Sequence, residues 1–109
     1  WGVLGEYGGA CHTDNGKSFI AVRLEHHAKL AGIVIQNRKG GNMWRAGGSR
    51  VEISTDGKDW QQIGTLEGTK PIYRIDLTDK DHSGTWVRII KDTNCLHLRR
   101  FLVYGQRRS

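Results

Sequence analysis

The chain has 109 residues, with 15 glycines, one proline, two cysteines, four tryptophans, a net charge of +6 and a pI near 9.7. That length is one domain with room for a single modest core. No apolar run approaches the ~18 residues of a membrane-spanning helix, and the basic balance points to anionic partners while deciding nothing about fold.

Residues 1–17, WGVLGEYGGACHTDNGK, show no alternation and read as a long loop that ends in a His-Thr-Asp-Asn cluster. Long loops in compact domains often carry function. The chain opens on Trp1 with no visible signal peptide, as expected of a module excised from a larger protein. From there apolar residues recur with period two. FIAVRL sets Ile20, Val22 and Leu24 on one face, and AGIVIQN does the same with Ile33 and Ile35 across a short polar connection, EHHAK. RVEIS puts Val51 and Ile53 inward and Arg50, Glu52 and Ser54 outward; IYRIDL alternates Tyr73, Ile75 and Leu77 with Arg74 and Asp76. WVRII and FLVYG complete the set. Such alternation predicts half-buried antiparallel strands. Asp56-Gly57 in TDGKDW marks a hairpin between RVEIS and QQIGTL, and LTDKDHSG has room for one turn. In LHLRRFLVY, Leu96 and Leu98 share one parity and Phe101 and Val103 the other, so a bulge at Arg99-Arg100 would restore one buried face; the alternative is burial on both faces at the strand's far end. The set predicts an all-β antiparallel sandwich or barrel spanning 1–109 as one module.

Catalytic signatures are missing: no G-x-S-x-G, H-E-x-x-H or P-loop occurs. Cys11 and His12 are adjacent, and neighbours on an extended chain face opposite ways, so the chain is expected not to be an enzyme. Cys11 and Cys95 are either a disulfide, which would close a long loop and contribute about 3–5 kcal/mol, or two buried thiols. The pair His26-His27 would diverge on an extended path and reads as a solvated turn. No cofactor is required by any motif; a structural calcium is compatible with the loop oxygens of HTDNGK. The arginines are scattered and no recognition helix or basic-aromatic RNA motif is present, which argues against nucleic acid.

The stretch NRKGGNMWRAGG, 37–48, carries the strongest binding signal. Arg38 and Arg45 lie seven positions apart with Met43 and Trp44 between them. A sugar needs planar multi-donor groups and a soft or aromatic surface for its C–H face, which arginine and Trp or Met supply. His12 can add a donor or acceptor according to tautomer.

HTDNGKSFIAVRLEHHAKLAGIVIQNRKGGNMWRAGGSRVEISTDGKDW, followed by YRIDL, WVRII and LHLRRFLVYG, resembles the discoidin or coagulation-factor type C superfamily, and within it the fucose-binding F-type lectins. The resemblance runs from about 10 to 105. It implies a galactose-binding-like jelly roll and a terminal fucose or galactose gripped by His12, Arg38 and Arg45, with Trp44 or Met43 on the apolar face and Tyr7 and Asn15 at the rim. This chain departs from the lectin pattern at Gly40, where the family has an acidic residue, and at Asn42-Met43-Trp44, where a vicinal cysteine pair often stands. The resemblance also implies a secreted or cell-surface glycan-binding module beside other domains, with affinity near ~0.01–1 mM for one small sugar site. Two other readings stay open: binding of anionic polysaccharide or phospholipid surfaces, with Trp1, Val3 and Leu4 as loop-tip spikes, and a protein-docking or structural domain.

Overall fold

A computed structural model describes residues 2–9, 12–14, 17–37, 47–91 and 98–106, and the side chains of 5, 18–37, 47–91 and 98–105. Eight strands run in chain order: β1 Gly2–Gly9, β2 His12–Asp14, β3 Lys17–Asn37, β4 Arg50–Ser54, β5 Gln61–Thr65, β6 Ile72–Asp76, β7 Ser83–Lys91 and β8 Leu98–Gln106. All pairings are antiparallel, along the path β1-β8-β3-β7-β4-β5, with β2 and β6 added to β3. The sheet curls into a sandwich because β3 serves both layers. Its first half pairs with β7, and its second half with β8 and β6.

The expected alternation holds and fills the space between the layers. Ile20, Val22, Leu24, Val51, Ile53, Val87 and Ile89 from one layer meet Leu30, Ile33, Ile35, Tyr73, Phe101 and Val103 from the other in one buried cluster. Arg23, Arg74 and Asp76 alternate with these and are exposed. The parity switch in LHLRRFLVY is a bulge: Gln36 pairs with Arg100 and Asn37 with Leu98, which leaves Arg99 unmatched and puts Leu98 and Phe101 into the same core. A second bulge at Ala31 moves the buried parity of β3 from Leu30 to Ile33 and Ile35. The alternative reading is also met in part, since Leu102, on the opposite face from Phe101, is buried as well.

Three expectations are corrected. The described part of 1–17 is not a long loop: β1 pairs with β8 along its length and β2 pairs with β3. Their alternation is hidden because β1 is a doubly bulged edge strand, with register shifts between Val3 and Gly5 and between Tyr7 and Gly9. Its Gly5 crosses so close to the core that a Cβ there would stand 2.7 Å from Val22 Cγ1. Val3 and Leu4 accordingly lie within a strand, not at a loop tip. EHHAK is likewise no connection but the irregular middle of β3, where the register against β7 slips between Arg23 and Ala28 and both histidines are exposed. Ser54 does not face water: it is buried under the 55–60 turn.

That turn is held by Asp56. Its Oδ1 accepts from the backbone N–H of Asp59 at 3.0 Å and Lys58 at 2.8 Å and from the Ser54 hydroxyl at 3.1 Å, while Gly57 N–H donates to Ser54 Oγ at 2.8 Å. These donors, the Asp59 and Lys58 amides first, hold the Asp56 carboxyl at about 2, below its ordinary 3.8. A carboxyl with a depressed native pKa stabilises the fold above its unfolded value and loses that contribution as pH falls through the native one. Asp56→Ala is therefore expected to lower Tm at neutral pH, and the gap from wild type to close between about pH 4 and pH 2. A gap that persists undiminished at pH 2 in a melting series would assign the loss to something other than the carboxylate.

Candidate functional site at one end of the sandwich

The connections between the two layers gather at one end. Ser18 pairs with Lys91, Ile90 with Arg50, and Leu98 with both Asn37 and Gly9. The β5–β6 connection then ties the layers together. Leu66 N–H donates to Ser49 O at 2.9 Å and Leu66 O accepts from Gly48 N–H at 2.7 Å; Pro71 O accepts from Asn37 N–H at 2.8 Å. The 66–71 connection therefore bonds both to Asn37, at the end of β3, and to Ser49, just before β4. The same end holds Gly9, the end of β1, the pairing of β2 with β3, Lys91 and Leu98.

The root of 38–46 is built with care. Asn37 is buried, and its Nδ2 donates to Lys70 O at 2.9 Å. Tyr73, also buried, donates its hydroxyl hydrogen to Gly68 O at 2.6 Å and accepts from Lys70 N–H at 3.3 Å, which fixes the turn that Asn37 grips. On the return side Gly48 takes φ +84, a conformation that costs a residue with a Cβ about 1–2 kcal/mol. The Ser49 hydroxyl is fully buried and has no hydrogen-bond partner among the described residues.

Arg38, Met43, Trp44, Arg45, Asn15, Cys11 and Cys95 lie outside the described residues. Of His12 and Tyr7 the backbone is described: His12 pairs with Phe19 and Tyr7 with Phe101. The topology thus brings the backbone flanks of the predicted set to one end, which period-two patterning alone does not reveal. Asn37, Tyr73 and Ser49 were missed by sequence reasoning. The Asn37 that ends AGIVIQN was the only signal, and it reads as a strand-end residue until the Lys70 contact is seen. Among the described residues no three His, Cys, Asp or Glu side chains group as metal ligands.

An antiparallel sandwich whose cross-layer connections meet at one end is a scaffold for a loop-built site. The family model for the F5/8 type C domain matches residues 3–99, and the chain belongs to that family. No curated protein matches the chain. Among solved structures, it is similar to CpGH89CBM32-6 of Clostridium perfringens, at 16% identity over 93% of this chain and 76% of that one, with a TM-score of 0.66. A Streptococcus pneumoniae fucose binding module matches at 14% identity over 82% and 64% of the two chains, with a TM-score of 0.66. A fucolectin from striped bass (Morone saxatilis) serum matches at 17% identity over 89% and 36%, with a TM-score of 0.71. At these identities the likeness is one of fold.

Proposed function

We propose that the chain is a non-catalytic carbohydrate-binding module that holds a terminal monosaccharide, fucose or galactose-like, at the loop-bearing end of the sandwich. His12, Arg38 and Arg45 hydrogen-bond the ring hydroxyls and ring oxygen. Trp44 or Met43 packs on the apolar C–H face, and Tyr7 and Asn15 form the rim. The module is secreted or displayed at a cell surface and sits beside other domains of a larger protein. The observation that carries this reading is the shared anchor of the loop root, where the 66–71 connection bonds both Asn37 and Ser49, the residues that in sequence flank a glycine-rich segment with two arginines. Support of a second kind comes from structural neighbours that include a fucose binding module and a fucolectin. A CBM32 module crystallised with GalNAc-β-1,3-galactose is another such neighbour.

The test is a glycan array with wild type, Arg38→Ala and Arg45→Ala. Wild type is expected to select glycans ending in fucose or galactose, and each variant to lose at least about tenfold in affinity, as removal of charge-assisted hydrogen bonds predicts. Binding should change little between low and physiological salt, because a neutral sugar carries no charge to be screened. A folded wild type that selects no terminal fucose or galactose sinks the proposal. A steep salt response would transfer the function to anionic polysaccharide or lipid.

A further inference from the structure

The opposite end of β4 carries a second arrangement that the loop-end site does not use. A cavity of about 200 Å³ opens there, lined by Ile53, Thr55, Asp59, Trp60, Gln61 and Ser83 among others. Its aromatic wall is held rigidly. The Arg88 guanidinium lies 4.0 Å from the centre of the Trp60 ring, and Arg88 Nε donates to Glu52 Oε1 at 2.7 Å, with Arg88 and Glu52 both largely buried. The ion pair fixes the arginine and the arginine fixes the ring, so little side-chain freedom is left to lose on binding. Around the ring, the side chains of Thr55, Asp59, Gln61 and Ser83 have no hydrogen-bond or ion-pair partner among the described residues. Asp59 uses only its backbone N–H, toward Asp56.

We propose that this cavity is a second saccharide site, one that takes a single neutral pyranose independently of the loop end. The chemistry selects the class. Trp60 supplies a flat surface for a C–H face. The Asp59 carboxylate accepts from hydroxyls, the Gln61 amide both donates and accepts, and the Thr55 and Ser83 hydroxyls do either, which matches the mixed donor and acceptor character of sugar hydroxyls. The Arg88 charge is already met by Glu52, so Asp59 leaves the cavity with a negative balance that turns away uronates and sulfated sugars. The volume lies below the ~300–1,000 Å³ of sites for drug-sized ligands and suits one ring. With Arg50 at the loop end of β4 and Ser54 beside the cavity, the two sites face opposite ends of the sandwich. The domain is then bivalent, able to bridge two glycans or to gain avidity on one surface.

The experiment is a ¹⁵N-detected NMR titration with D-galactose, L-fucose, N-acetyl-D-glucosamine and D-glucuronate. It uses wild type, Asp59→Ala/Gln61→Ala, and Arg38→Ala/Arg45→Ala. At least one neutral sugar is expected to move the Trp60 indole N–H and the 55–61 amides. Glucuronate is expected to leave them unmoved. The response should persist in the Arg38/Arg45 variant and weaken about tenfold in the exposed-residue Asp59/Gln61 variant, whose fold is checked by its unperturbed core resonances. If no neutral sugar moves these signals, or if the Asp59/Gln61 variant titrates like wild type, the cavity is not a sugar site. The loop-end reading stands or falls separately, on the variants at Arg38 and Arg45.

Discussion

Gly57→Ala is expected to destabilise the domain by about 1–3 kcal/mol, a Tm loss of roughly 5–15 °C for a domain near this size. Two causes add. Gly57 has φ +79, where any Cβ is strained. That Cβ would also stand 3.2 Å from Trp86 Nε1 and 3.3 Å from Trp86 Cε2, closer than side chains normally pack. Trp86 has little room to retreat: it pairs with Arg23 and Ser54 across its strand, and the Arg23 guanidinium lies 5.6 Å from its ring centre. Two other glycines separate the causes. Gly48 at φ +84 and Gly68 at φ +70 have nothing within 4 Å of an added Cβ, so their alanine variants carry the backbone cost alone. Thermal or urea unfolding of the three variants should rank Gly57→Ala lowest. Equal losses in all three would mean that Trp86 yields freely and that the turn is not packed on it.

The same contact shows what could and could not be read from the sequence. VEISTDGKDW announces a strand and a turn, and both are present, because alternation and an Asp-Gly pair are local signals. The turn is longer than a two-residue hairpin, since Ile53 pairs with Gln61, and Ser54 is buried instead of exposed. The turn packs on Trp86, more than twenty-five residues on, a contact that no local pattern exposes. Residues 2–9 fail in the opposite way. The strand exists, but two bulges and the close approach of Gly5 to Val22 and Leu24 erase its period. The Arg99 bulge was legible because the parity of Leu98 against Phe101 changes within one apolar run. The proposed loop-end site was half legible: the arginines assigned to it stand out by spacing, while the anchor of the loop root, Asn37 on Lys70 with Tyr73 behind, is a long-range polar contact with no signature in composition.

That anchor makes Asn37→Ala the most informative single substitution. Removing the Asn37 amide takes away a part-buried bond to the carbonyl of exposed Lys70, a loss of about 0.5–1.5 kcal/mol. The backbone bond from Asn37 N–H to Pro71 O survives the change, so β3 should still end in place while the segment beyond it gains freedom. Binding then suffers more than folding does, because a loop that must be ordered by the sugar subtracts its ordering cost from the affinity. On the reading that Arg38 and Arg45 grip a terminal sugar, Asn37→Ala is expected to weaken fucose or galactose binding by at least about tenfold. Tyr73→Phe, which removes only the hydroxyl that holds Gly68 O and Lys70 N–H, should follow in the same direction with a smaller loss. Calorimetric titration beside thermal melts separates the two effects. A variant that melts lower yet binds sugar as tightly as wild type would show that the loop root supports the fold and not the site.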